Sequence, residues 1–293
     1  GEVAFKELMV ALKNKTSLSK VPNLWYRENG KIMKNKLVRY MDMNELPNQR
    51  LDFWDKKHFL KPYNGVMYRT GFFEMSRGCM HKCHYCFNRY MQTDLPASEV
   101  GKFRRNKSIE TIIKEVKVLH KEHNFEFIMF TDDNFLGRSF PEMDEFYERW
   151  AKEVKIPYYF NTCIETLNER NLPKLKKSNC IGISVGMETG SEYIRRTVLL
   201  KGKMTNDMYL EGFRMMAKHG IRSTSNVMIG FPGEYEEDVF ETVKLNKKIR
   251  EEVSKIDQDL ASFGMCFVAP YAGTVIHNIC ADLGLIKLDD RPG

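Results

Sequence analysis

From residue 68 onward the chain repeats one pattern six times: a short apolar run, a polar loop, then a stretch with apolar residues three and four apart. The short runs are 68–76, 125–131, 157–162, 181–187, 221–229 and 260–268. Their length suits strands, and the stretches between them suit amphipathic helices. Ile109, Ile112, Ile113, Val116 and Leu119 make one helical face. Ser139 and Glu142, with Pro141 between them, form a capping box ahead of Met143, Phe146, Tyr147 and Trp150. Further helices are expected over 167–177, 191–200 and 205–219. Another, running to about residue 253, opens on the acid-rich 233–238, which favours a helix N-terminus. Six β/α units in series predict a parallel sheet with right-handed crossovers. A curved partial (β/α)6 barrel and an open doubly wound sheet both satisfy the pattern. Either places functional residues at the C-terminal ends of the strands.

Residues 1–65 read as a lead-in. Phe5, Leu8, Met9 and Leu12 have helical spacing, and Asn29-Gly30 between apolar flanks signals a hairpin. The stretch 39–65 reads as irregular, with 44–47 and 61–65 as turns. The expected organisation is therefore a lead-in over 1–65, a core over 66–275 and the start of a further segment over 276–293. The beginning at Gly1-Glu2-Val3, with neither an initiator Met nor a secretory leader, suggests a fragment or a processed chain. No apolar run reaches the ~18 residues of a membrane span. The net charge of +7 suits an anionic ligand or a nucleic acid, but a solvated surface explains it more simply. The chain has seven cysteines, an odd number. Three of them crowd together, which argues for metal ligation in a reducing, cytoplasmic setting over a disulfide framework.

Those three are Cys79, Cys83 and Cys86, spaced C-x3-C-x2-C where the first strand is expected to end. Three thiolates on one loop can converge on an iron–sulfur cluster. A four-iron cluster would then keep one iron open. The Arg, Lys and His residues of the loop favour thiolates. A zinc site is the competing reading, with His81 or His84 as fourth ligand. Cys163, Cys180, Cys266 and Cys280 are scattered on apolar elements and read as small buried hydrophobes. Of these, Cys163 is the one expected to face a cavity.

The cysteine spacing, with Tyr85 between the second and third cysteines, resembles the radical S-adenosylmethionine (SAM) superfamily. Three further stretches extend the resemblance over 68–270: Thr131-Asp132-Asp133-Asn134-Phe135, Gly186-Met187-Glu188-Thr189-Gly190-Ser191, and 228–234 as M-I-G-F-P-G-E. The resemblance implies a partial TIM-like barrel. It also implies a 4Fe–4S cluster on the three cysteines, with SAM chelating the fourth iron. One electron then cleaves SAM to a 5′-deoxyadenosyl radical, which abstracts hydrogen from a substrate. It implies Tyr85 beside the adenine, and Asp132, Asp133 and Asn134 near the methionine amino group. Glu188 is implied on the ribose hydroxyls, with Asn226 as a second ribose candidate. Arg195 and Lys201 are implied at the methionine carboxylate, Lys201 as a single point charge where relatives often have Arg. As plain structure, Tyr85 reads as a core aromatic, 132–134 as a solvated loop, and Arg195 and Lys201 as surface charges.

The lead-in is similar to the linker that follows a cobalamin-binding domain in one large subgroup. That similarity implies cobalamin held by a domain outside this chain, and methylation of an unactivated carbon as the reaction. A low-potential electron donor such as flavodoxin or ferredoxin is implied as partner. Two alternatives stand beside this reading: tRNA methylthiolation by a related enzyme, and a zinc-stabilised binding module without catalysis.

Overall fold

The lead-in of the computed structural model, which describes residues 1–287, opens with helix α1 (Glu2–Asn14). Its apolar stripe does not turn inward: Phe5, Met9 and Leu12 are all at least half exposed, and only Ala11 is buried. Strands β1 (Trp25–Glu28) and β2 (Lys31–Lys34) form the expected hairpin. Asn29 and Gly30, at φ 49° and 77°, make the two-residue turn that matches strand twist.

The stretch 61–65 corrects the sequence reading. Strand β3 (Leu60–Tyr63) pairs antiparallel with β4 (Val66–Phe73), and only Asn64-Gly65 is turn. Lys61 and Pro62 hide this strand from a periodicity argument. Pro62 is tolerated because β3 lies at the edge of the sheet, where a missing N–H costs nothing. A ribbon of β5 (Ser76–Arg77) and β6 (Arg105–Asn106) then brackets the cysteine loop and the short helices α2 (Phe87–Thr93) and α3 (Ala97–Val100).

The predicted alternation follows. Helix α4 (Ile109–His123) leads to β7 (Phe127–Phe130), and α5 (Phe140–Arg149) to β8 (Tyr158–Thr162). Helix α6 (Leu172–Lys177), shorter than expected, leads to β9 (Cys180–Glu188). Helices α7 (Glu192–Thr197) and α8 (Asn206–Lys218) precede β10 (Arg222–Ile229). Helix α9 (Glu236–Ser254), β11 (Ala261–Phe267) and α10 (Val275–Asp282) complete the described chain. Of the segment expected over 276–293, residues 288–293 lie outside the described residues. The sheet order is β11-β10-β9-β8-β7-β4-β3, parallel throughout except for β3. It curls into a half-barrel, which decides between the two architectures the sequence left open.

The two faces of this sheet differ in chemistry. On the outer face Ile183, Val185 and Met187 of β9 are fully buried under the helices. Phe130, Phe135, Phe146, Trp150, Tyr158 and Phe160 pack there edge-on and stacked, with the rings of Phe135 and Phe160 4.2 Å apart. Each such side chain contributes about 1.5–3 kcal/mol of burial energy. The Ser139–Glu142 capping box is present at the start of α5. On the inner face the alternate residues of β9 are Gly182, Ser184, Gly186 and Glu188. Small and polar groups cannot fill a barrel, so the upper interior stays open. At its lower end Tyr63 plugs it, its ring tilted against Phe127 and edge-on to Tyr159. A Cβ at Gly182 would overlap the Tyr63 hydroxyl.

Candidate active site

The cysteine loop lies across the C-terminal mouth of the half-barrel. Cys79, Cys83 and Cys86 border a cavity of about 280 Å³, together with Asp133, Asn161, Cys163, Ser184, Glu188, Lys201 and Asn226. Gly78, at φ 93°, makes the turn into the loop, and its amide donates to Asp133 Oδ2 at 2.8 Å. Burial pushes the Cys83 thiol up to about 11 and raises that of Cys86. Cys79 is held below the usual thiol range, first by the neighbouring Cys163 thiol, against the opposing effect of burial. Cys163, just past β8, faces the cavity as expected. Cys180 and Cys280 are buried, but Cys266 is exposed, because β11 is an edge strand.

Glu188 owes its position to a bulge. Asn226 of β10 pairs with Gly186, and Val227 pairs with Glu188, so β9 carries one residue more than its partner. Glu188 takes the left-handed region, φ 68°, a conformation that persists only where surroundings hold it. Here the Tyr85 hydroxyl donates to its Oε1 at 2.6 Å and the Lys201 ammonium at 3.1 Å. Gly186 leaves the necessary room, since a Cβ there would come within 2.5 Å of the Glu188 carboxylate. Lys201 also donates to the Gly186 carbonyl at 2.9 Å. Burial works hardest against its charge, but the Glu188 carboxylate, together with Tyr209, Cys83 and Cys163 around it, outweighs burial and keeps the ammonium well above its ordinary range. Desolvation, with Glu188 beside it, likewise holds the Tyr85 phenol far up. Asn226 is exposed to the cavity, its amide donating to Ser184 Oγ.

Three residues singled out by the sequence point elsewhere. Asp132 is buried behind the loop and accepts from the Met75 amide and the Ser76 hydroxyl. Desolvation raises its carboxyl to about 6. Asn134 accepts from the Thr162 hydroxyl at 2.7 Å and does not border the cavity. Arg195 is fully buried, donating to the carbonyls of Met204 and Thr189 and to Asn206 Oδ1, with its guanidinium 4.8 Å from the Tyr209 ring centroid. It braces the turn between α7 and α8 and does not reach the cavity. Of the expected set, Tyr85, Asp133, Glu188, Lys201 and Asn226 are brought together with the three thiols.

Gly186, the first residue of one motif, borders the cavity, and so do Asn161 and Ser184, which sequence reasoning passed over. For Ser184 and Gly186 the signal was the alternation of small or polar with apolar residues along β9. The other stretches of the resemblance have structural work as well. Glu234 accepts from the amides of Gly230 and Phe231, closing the turn after β10. The Gly190 amide donates to Thr242 and the Ser191 hydroxyl to Asp238, which docks α9 on the end of β9.

The donor set fits an iron–sulfur cluster with a chelating cofactor. Three thiols share one loop, and beside them the cavity offers a carboxylate, amides and an ammonium. Comparisons with known proteins agree. The chain is 29% identical over 279 residues to an uncharacterised methyltransferase of Pyrococcus horikoshii, covering 94% of this chain and 55% of that one. It spans about half the length of the curated relatives it matches. Its fold is similar to that of the radical SAM methyltransferase TsrM of Kitasatospora setae, solved with cobalamin and a 4Fe–4S cluster. The TM-score is 0.68 at 14% identity, covering 97% of this chain and 53% of that one. The cobalamin-dependent SAM radical enzyme OxsB gives a TM-score of 0.68 at 16% identity, over 98% and 44%. The model of the radical SAM superfamily matches residues 73–245, more than half of the chain. This chain therefore belongs to the radical SAM superfamily, whose cofactors are a 4Fe–4S cluster and SAM.

Proposed function

We propose that the chain is the radical-generating core of a cobalamin-linked enzyme that methylates an unactivated carbon. The observation that carries the reading is the three-cysteine loop opening onto a cavity edged by Glu188, Asn226 and Lys201. Cys79, Cys83 and Cys86 hold the cluster. When bound, cluster and SAM supply the 5′-deoxyadenosyl radical chemistry of the family. Glu188 accepts from the ribose hydroxyls and Asn226 supplies a second ribose contact. Tyr85 braces Glu188 beside the adenine, and Asp133 faces the methionine amino group. Lys201 fixes the Glu188 carboxylate and lends positive charge to the side where the methionine carboxylate lies. The cysteine loop covers the mouth and limits the access of water.

Two observations support the cobalamin link. The likeness to TsrM and OxsB runs through the lead-in as well as the barrel. The apolar stripe of α1 also stands exposed, as suits a lead-in over 1–65 that joins the barrel to a domain outside this chain. A low-potential donor such as flavodoxin or ferredoxin supplies the electron, in a reducing cytoplasm. Among the described residues no helix is long and apolar enough to cross a membrane.

The test is anaerobic reconstitution with iron and sulfide, then electron paramagnetic resonance of the reduced protein with and without SAM. About four irons per chain, a signal that shifts with SAM, and 5′-deoxyadenosine in the reaction mixture are expected. Each single Cys→Ala change in the loop abolishes all three. A wild-type protein that takes up no iron when reconstituted free of zinc sinks the reading. The methylation step is checked on a full-length homologue with cobalamin and substrate. Both S-adenosylhomocysteine and 5′-deoxyadenosine are expected, and 5′-deoxyadenosine alone counts against methylation.

A further inference from the structure

Three ligand-bearing side chains meet at one wall of the cavity. Cys79 and His81 come from the loop after β5, and Cys163 from the end of β8. Their donor atoms all lie within 4.8 Å of one another. Thiolates at about 2.3 Å and an imidazole nitrogen at about 2.0 Å from one zinc-type ion stand about 3.5–4 Å apart at tetrahedral angles. A movement of roughly 1 Å therefore closes the set around a single ion.

A further group points to a metal. Glu165 places a carboxylate oxygen 2.5 Å from His81 Nε2. A carboxylate on the far nitrogen is how metal-binding histidines are oriented and made more basic. The backbone is pinned as well: the His81 amide donates to Cys79 Sγ at 3.4 Å, and the Gln92 side chain donates to the His81 carbonyl at 2.7 Å. His84, the other histidine of the loop, is turned to the Val198 carbonyl at 2.9 Å.

We propose that Cys79, His81 and Cys163 form a mononuclear site for a zinc-type divalent ion, filled when the cluster is absent. Binding ionises both thiols and releases their protons to solvent. Water from the cavity completes the tetrahedron. Cys79 serves both this site and the cluster, so the two occupations exclude each other. Cys83 and Cys86 belong to the cluster alone, and His81 and Cys163 to the single ion alone. A captured ion thus blocks cluster assembly until it is removed. The inference rests on this geometry and is independent of the reaction proposed above.

The experiment titrates the metal-free, anaerobic chain with cobalt(II), whose tetrahedral thiolate bands report the ligand set, and then displaces it with zinc. One ion per chain is expected. Cys163→Ala, His81→Ala and Glu165→Gln should each weaken binding about tenfold or more, while Cys86→Ala leaves it unchanged. Cys163→Ser keeps the shape if the alanine variant fails to fold. Zinc-loaded wild type should take up no iron until chelated, and Cys163→Ala should assemble a cluster in the same zinc. Equal cobalt binding by wild type and Cys163→Ala overturns the proposal, as does a loss in Cys86→Ala as large as in Cys163→Ala. Iron uptake without zinc keeps the two claims apart. Failure of the wild type to take up iron strikes at the radical assignment, and its success with unchanged cobalt binding in Cys163→Ala strikes at the ion site.

Discussion

Glu188 and Lys201 form a buried ion pair whose members have different outward duties. Removing one member strands the other charge in a poor solvent, at a cost of about 3–5 kcal/mol. Lys201→Met should therefore lower stability by that order in urea denaturation, and Glu188→Gln/Lys201→Met by clearly less than the single change. Glu188→Gln alone should weaken SAM binding about 10–100-fold, the worth of a charge-assisted hydrogen bond; an unchanged affinity removes Glu188 from the cofactor site. Asp132 gives a pH prediction. Desolvation lifts its carboxyl from the ordinary 3.8 of the unfolded chain to about 6 when folded, so between these values the folded state keeps a proton that the unfolded chain has lost. The contribution of this one group to stability is then greatest below 3.8, falls as pH rises between the two values, and is lower by about 3 kcal/mol above 6. Asp132→Asn mimics the protonated acid toward Met75 and Ser76. Urea midpoints of wild type should fall relative to this variant between pH 4 and 6.5, and a constant difference would refute the assignment. The cysteines were legible in the sequence because their spacing is local. The departures of Asp132, Asn134 and Arg195 were not, because neighbours in a motif share no common direction in a loop or on a helix.

At the scale of elements, the end of β9 does three jobs within a few residues. The bulge aims Glu188 into the cavity, Gly186 makes room for it, and Gly190 admits α9. A Cβ at Gly190 would come within 2.5 Å of the backbone of Glu241 and Thr242, which cannot swing aside. Gly190→Ala should cost about 3 kcal/mol by overpacking, read as a fall in thermal midpoint, with loss of SAM affinity because β9 and α9 separate. Unchanged stability would mean that the contact relaxes freely. Helices α1 and α4 to α9 and the six parallel strands were readable from the sequence pattern, whereas the short α2, α3 and α10 were not. Strand β3 was not, because an edge strand with one neighbour and a proline needs no apolar alternation. The expected apolar face of α1 exists as sequence, yet nothing among the described residues covers it.

For the whole molecule, the half-barrel leaves its polar interior open and closes it with a loop that has little core of its own. Cluster binding should therefore act as a staple. The reconstituted protein is expected to melt several degrees above the metal-free form, by linkage to the native state alone. Cys86→Ala should lose that increment without lowering the metal-free midpoint, and equal midpoints with and without cluster would contradict it. The sequence by itself determined the β/α series, the capping signals and the three thiols, since each depends on residues within one turn, strand or loop. Tertiary structure alone decided the curl of the sheet and the side of each strand that faces the cavity. It also decided the meeting of Cys163 with Cys79 and His81, because such contacts join residues some eighty positions apart, and only packing brings them within reach of one ion.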